Sequence, residues 1–198
     1  MASIGIGIKD KSNFSVLDFG GGAGHHQFTA KEIFRDVQFD WTIVETECLA
    51  RMAETLIRDE GLTFSSNLKT LDSTKFYDLV FSNSALQYTE DPLNTLKDLL
   101  NLDFENFFIT RIPLTNSKPF NYIQDSLLSN NGPGVAGKGI QEAVVTYKNN
   151  IVSKDSFESL LDDNLHDWIS VDEGTWDSTR FGEAVRIYTY IGTAKKGD

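Results

Sequence analysis

Five short apolar runs between Phe14 and Leu114 alternate with segments of helical periodicity, and that alternation leaves few folds open. Phe14–Phe19, Trp41–Val44, Leu62–Phe64, Tyr77–Ser82 and Asn106–Leu114 read as strands. Phe28, Ile33, Phe34 and Val37 suit one face of a first helix. Leu49, Met52, Ala53, Leu56 and Ile57 follow the i, i+3, i+4, i+7, i+8 spacing of a second, with Gly61 placed to stop it. Asp91-Pro92 is an N-cap followed by proline at the first helical position, and Leu93, Leu96, Leu99 and Leu100 give the third helix its stripe. A further short helix fits between the third and fourth strands. The order β-α-β-α-β-β-α-β predicts parallel βαβ units and a sheet covered on both faces.

The rest of the chain reads differently. Asn116 to Asn150 is rich in Asn, Ser and Gly, and "SNNGPGVAGKG" at 129–139 predicts a substrate-side loop or lid over about 116–150. Ser153 reads as an N-cap ahead of a helix carrying Phe157, Leu160 and Leu161. "HDWISVDEGT" and "EAVRIYTYIGTAKK" then read as two strands. Their link, "WDSTRFG", is too short for a crossover helix, so they pair antiparallel. The expectation is one α/β domain over 1–198, Rossmann-like and doubly wound, with a mostly parallel seven-stranded sheet ending in an antiparallel hairpin.

Composition narrows the function classes. At 198 residues the chain suits one domain with a real core. A net charge of −11 opposes a nucleic-acid backbone as partner, since that binding rests on clustered Lys and Arg. No apolar run approaches the roughly 18 residues of a membrane span, and the N-terminus lacks the pattern of a signal peptide. The single cysteine, Cys48, rules out an internal disulfide and suits a reducing compartment. These features predict a cytoplasmic protein with no membrane and no nucleic-acid partner. They do not set the oligomeric state.

The chemistry-bearing stretch is "VLDFGGGAGHH", Val16 to His26, where four glycines in five positions follow an apolar strand and an acid. Glycines between a first strand and a first helix let the backbone approach a ligand closely. The dinucleotide spacing G-x-G-x-x-G fails, because the sixth position is His25 or Gln27. What fits is an acid followed by glycines at every second position: Asp18, Gly20, Gly22 and Gly24. Such an acid can orient the turn and hold a ligand's ammonium, which suits an amino-acid-bearing cofactor better than a pyrophosphate. Glu45, at the tip of the second strand, is placed to accept hydrogen bonds from a ribose diol.

These residues resemble the class I S-adenosylmethionine-dependent methyltransferases over nearly the whole chain. "VLDFGGGAG" is similar to the family's first motif, and "WTIVETECLARMA" resembles its second strand and helix, with Glu45 as the ribose-binding acid. "YDLVFSNSALQYTEDPLNTLKDLL" is similar to the fourth strand and following helix, and the terminal hairpin resembles the one that closes that fold's sheet. The wording "LDFGGG" and "ALQY" is similar to methyltransferases that accompany surface-polysaccharide gene clusters. The resemblance implies S-adenosyl-L-methionine as cofactor, held by Asp18, Gly20, Gly21, Gly22, Gly24, Glu45, Thr46, Ser66, Asn67, Leu68, Ser82 and Asn83. Two departures stand out. The acid that usually follows the third strand is replaced by "FSSNLK", leaving Ser66 or Asn67 to meet the adenine and Leu68 to pack on its ring. Only about a dozen residues precede the first strand, which predicts a less closed substrate side.

An activated sulfonium methyl asks the protein mainly to hold a nucleophile in line, near about 3 Å from the carbon. The candidates are His25 as a base or substrate contact, Tyr88 facing the pocket, and Arg111 near the end of the fifth strand, where ligands of open α/β sheets collect. Tyr147 and Lys148 are further candidates to close over a substrate, Gln87 to face the pocket, and His26 to cap the helix start. No His/Cys cluster suggests zinc, and His166 reads as a surface residue; no metal is expected. The expected activity is methyl transfer to a small molecule or sugar intermediate, through oxygen. Two alternatives remain: a cofactor-binding module without catalysis, and a nicotinamide-dependent oxidoreductase, against which the glycine spacing speaks.

Overall fold

Strands β1 (Asn13–Phe19), β2 (Gln38–Val44), β3 (Leu62–Ser65), β4 (Phe76–Asn83) and β5 (Asp103–Thr115) form the parallel half of the sheet in a computed structural model that describes residues 5, 7–8, 11–130 and 141–195. Their spatial order is β3-β2-β1-β4-β5, with all four pairings parallel. The order therefore reverses between β1 and β4, and the crevice above the carboxyl ends of these two strands is where an open α/β sheet takes its ligands.

The two faces are covered by different helices. Helices α3 (Pro92–Leu100) and α4 (Lys154–Asn164) bury Leu96, Leu99, Phe157 and Leu161 against Leu17, Val80, Phe107, Ile109, Tyr188 and Tyr190. On the other face, Ala30 of α1 (His25–Ile33) and Ala50 and Ala53 of α2 (Glu47–Leu56) share a core with Val16, Trp41, Ile43, Leu79 and Phe81. The expected caps form. Asp91 Oδ1 accepts from the Asn94 amide, and Ser153 Oγ accepts from the Ser156 amide. The short element between β3 and β4 is a 3-10 turn over Leu68–Thr70.

Several local expectations need correcting. The first helix starts at His25 and ends at Ile33, not near Val37. In α2 the periodic residues Met52 and Leu56 are 53% and 76% exposed; the small residues Ala50 and Ala53 face the sheet because they let the helix lie close to it. Gly61 does not end that helix, which stops at Leu56. It lies against β2, where a Cβ would come within 2.2 Å of the Phe39 carbonyl oxygen.

Among the described residues the sheet has nine strands, two more than expected. The terminal hairpin forms as foreseen: β8 (Leu165–Thr175) and β9 (Arg186–Ala194) pair antiparallel, joined across a short helix α5 (Ser178–Phe181), and β9 lies antiparallel on β5. The extra strands are β6 (Phe120–Leu127) and β7 (Val144–Ser153), an antiparallel pair that, apart from the last three residues of β7, occupies the stretch 116–150 expected to be loop. The glycine-rich run at 131–140 lies outside the described residues. On β5 the β4 pairing ends at Asn83↔Thr110, and β9 occupies the other edge through Leu114. The pairing of β5 with β7, at Leu114 and Thr115, thus continues the edge that β4 has left. This sets the β6–β7 hairpin at the carboxyl end of β4, beside the 3-10 turn Leu86–Tyr88. Arg111, at φ 59°, sits in the bulge of β5 between the two pairings. Among the described residues, no helix is long and apolar enough to cross a membrane.

Candidate functional site

A cavity of about 530 Å³ opens at the reversal of strand order. Its lining includes Gly20 after β1, Glu45 and Thr46 after β2, Ser66, Asn67 and Leu68 after β3, and Ser84, Ala85 and Tyr88 after β4. Strand tips dominate because parallel strands deliver all their carboxyl ends to one edge of the sheet.

The turn after β1 is built over a buried carboxylate. Asp18 is fully buried. Its Oδ2 lies 3.1 Å from His26 Nδ1 and accepts from Trp41 Nε1 at 3.3 Å, while Oδ1 has no hydrogen-bond partner among the described residues. The carboxylate lies directly under Gly21, where a Cβ would come within 2.5 Å of it. Gly20 and Gly22 both have positive φ, at 74° and 60°. A side chain at Gly20 would meet the Ala85 Cβ at 2.2 Å, whereas no described residue lies within 4 Å of the place a side chain would take at Gly22. Gly20 is thus glycine for packing, and Gly22 leaves an open backbone surface. Gly24 ends the turn as the N-cap of α1.

Glu45 joins the strand tips. Its Oε1 accepts the Gly22 amide at 3.1 Å and its Oε2 accepts the Thr46 amide at 2.9 Å. Each carboxylate oxygen keeps further acceptor capacity. At the β3 tip, Asn67 Oδ1 caps the 3-10 turn by accepting the Lys69 amide at 2.9 Å, so its side-chain amide nitrogen is the group left for a ligand. Tyr88, in the 3-10 turn after β4, also lines the cavity. Burial pushes its phenol up to about 12, with Tyr147 adding to the shift.

Of the residues expected to hold a cofactor, Gly20, Glu45, Thr46, Ser66, Asn67 and Leu68 come together on the cavity, with Asp18, Gly21, Gly22 and Gly24 forming the turn beside it. Ser82 does not reach the lining: it is buried and donates to the Phe19 carbonyl at 3.0 Å, tying β4 to β1. Asn83 is half-buried, with an unpartnered buried Oδ1. The structure separates the three catalytic candidates. Tyr88 is on the cavity. His25 is exposed at the start of α1, outside the lining, because the helix turns it away and its neighbour His26 inward to Asp18 and onto the Phe81 ring, 4.9 Å between centroids. Arg111 is exposed outside the lining, though its charge acts on the Tyr88 phenol. Ser84 and Ala85 were missed by sequence reasoning. They directly follow Ser82 and Asn83, and the positive φ of Ser84, 54°, turns the chain into the cavity. Among the described residues no group of acids, histidines or cysteines could hold a metal ion.

No protein-family model and no curated protein matches the sequence. Solved structures do match in fold. An S-adenosylmethionine-bound amino pentose methyltransferase of calicheamicin biosynthesis from Micromonospora echinaspora is 14% identical, with a TM-score of 0.59 over 97% of this chain and 87% of that one. An S-adenosylmethionine-dependent methyltransferase from Clostridium acetobutylicum is 14% identical, with a TM-score of 0.54 over 91% of this chain and 84% of that one. The cyclase SpnF shares the architecture at 13% identity and a TM-score of 0.59, over 98% of this chain and 80% of that one. Fold and chemistry are therefore separable here. The strand order, the glycine turn over a buried acid and these likenesses agree: this chain has the fold of the class I S-adenosylmethionine-dependent methyltransferases.

Proposed function

We propose that the chain is a methyltransferase that binds S-adenosyl-L-methionine in the cavity at the β1/β4 reversal and methylates an oxygen of a small molecule or sugar intermediate. The observation that carries this reading is the pairing of an open glycine surface at Gly22 with Glu45, beside a buried Asp18 whose Oδ1 lacks a partner. A buried acceptor left unpaired is unfavourable, and a ligand ammonium, directly or through a water, satisfies it. When bound, the cofactor supplies an activated methyl carbon. Glu45 accepts from the ribose hydroxyls, the Asn67 amide and Leu68 meet the adenine, and the glycine turn receives the amino-acid tail. Tyr88, kept protonated by its burial, donates a hydrogen bond that orients an acceptor.

Calorimetry with S-adenosylhomocysteine and with NADH tests the binding half: tight binding of the first and none of the second is expected, and the reverse overturns it. A transfer assay against sugars, nucleotide-sugars and small phenols, read by mass spectrometry, tests the reaction. A second reading, a module that holds the nucleoside without transferring its methyl, is favoured by the placement of His25 outside the cavity. It predicts binding with no transfer to any acceptor.

A further inference from the structure

A second cavity, of about 350 Å³, lies between β6 and the α5 turn and is lined by Tyr122, Gln124, Asp125, Trp176, Asp177 and Arg180. Its side-chain network extends beyond the lining. Tyr122 on β6 stands opposite Asn149 on β7, and Gln124 stands opposite Tyr147, so the four share one face of the hairpin. Gln124 joins them: its Oε1 accepts from Asn149 Nδ2 at 3.1 Å and from the Tyr122 hydroxyl at 3.3 Å, and its Nε2 donates to the Tyr147 hydroxyl at 3.1 Å. Trp176 Nε1 donates to the Tyr122 hydroxyl at 2.7 Å, and the Arg180 guanidinium lies over the Tyr122 ring, 4.4 Å from its centroid.

Two features connect this cluster to the first cavity. Tyr147 packs edge-on against Tyr88, with centroids 5.0 Å apart, and Tyr88 lines the first cavity. Asn150, next on β7, donates to the carbonyls of Gln87 and Thr89, anchoring the hairpin to the turn that carries Tyr88. Two fully buried amides in this region are incompletely satisfied: among the described residues, Asn149 Oδ1 and Gln87 Oε1 have no partner. Hydrogen bonds brought by a ligand can reorganise such a network to its advantage.

Resting on the reading of the first cavity as the nucleoside site, we propose that the β6–β7 cavity holds the methyl acceptor and that the acceptor presents a neutral, hydroxyl-bearing ring. The chemistry of the walls selects this class. Amide and phenol groups both donate and accept, which matches hydroxyls. The aromatic ring of Trp176 offers flat apolar surface to the carbon face of a ring. An anion would meet two carboxylates in this lining, Asp125 and Asp177, against the single guanidinium of Arg180. Asp125 and Asp177 already accept from the hydroxyls of Thr146 and Thr179.

The test follows the indole signals of the three tryptophans by NMR, with and without S-adenosylhomocysteine, as neutral methyl glycosides or inorganic phosphate are added. Trp176 is assigned with Trp176→Phe. The expected result is a saturable shift of Trp176 with at least one glycoside, while Trp41 and Trp168 stay in place. Gln124→Leu and, separately, Tyr122→Phe weaken that binding by about tenfold or more, with affinity for S-adenosylhomocysteine unchanged. The proposal is overturned if no glycoside moves Trp176, if phosphate alone moves it, or if both variants bind like the parent protein. Failure to bind S-adenosylhomocysteine strikes instead at the reading of the first cavity; the titration without it still decides whether the second takes a neutral ring.

Discussion

Gly22 donates its backbone N–H to the Glu45 carboxylate across 3.1 Å, so the turn after β1 is held by the tip of β2. One side chain thereby shapes the cavity and offers its remaining lone pairs to a ligand. Glu45→Ala is expected to weaken binding of S-adenosylhomocysteine by about 1–3 kcal/mol, the range for losing hydrogen bonds to a charged group. Calorimetry on the variant checks this, and unchanged affinity refutes the ribose role.

The two positive-φ glycines of the turn are expected to respond differently. Gly20→Ala adds a clash with Ala85, at 2.2 Å, to the backbone strain and should lower the unfolding temperature. Gly22→Ala meets no neighbouring atom within 4 Å and carries only the left-handed penalty, roughly 1–2 kcal/mol. Its main effect should be on ligand affinity. Thermal unfolding and calorimetry on both variants separate the cases; a Gly22→Ala protein that binds normally shows that the turn does not touch the ligand.

Asp59 holds the loop after α2 to α1. Its Oδ1 accepts from Lys31 Nζ at 2.6 Å and from Nε2 of the buried Gln27 at 2.9 Å, and these contacts, Lys31 first, lower its pKa. A depressed carboxylate pKa stabilises the fold above the unfolded value, about 3.9, and that contribution is lost as pH falls through the folded value. Asp59→Asn should therefore cost about 1 kcal/mol near neutral pH, kept small by the exposure of Lys31. Denaturant titrations should show the difference from the parent shrinking as the pH is lowered below about 4. A difference that does not vary with pH contradicts the assignment.

Tyr88 stays protonated through the physiological range, as an ordinary phenol does, and desolvation raises it further, to about 12. As a hydrogen-bond donor and not a base, it should contribute no ionisation to the rate. Tyr88→Phe is expected to lower methyl transfer by about tenfold, the effect of one lost hydrogen bond, without changing the shape of the pH–rate profile. A limb of the profile that disappears in the variant would assign Tyr88 as the titrating group.

Local signals in the sequence were enough for the parallel half of the sheet. The apolar strands, the Asp91-Pro92 and Ser153 caps, the glycine turn and Glu45 at a strand tip each follow from short-range periodicity or backbone geometry, and parallel connection then brings the tips to one edge. Other features depend on partners far along the chain. Residues 120–127 and 144–153 lack a clean alternation of polar and apolar side chains and lie amid Asn and Ser, so nothing local separates a hairpin from a loop; pairing with each other and with the end of β5 makes them strands. His25 and His26 are equivalent as sequence, and only the rotation of α1 over the buried Asp18 sends one to solvent and the other inward. Met52 and Leu56 satisfy the helical rule yet stay exposed, because α2 ends at Leu56 and approaches the sheet through its alanines. The sequence by itself determined which backbone conformations and strand tips were available; the tertiary structure decided which side chains meet there, because burial and hydrogen bonding depend on distances between segments that periodicity does not encode.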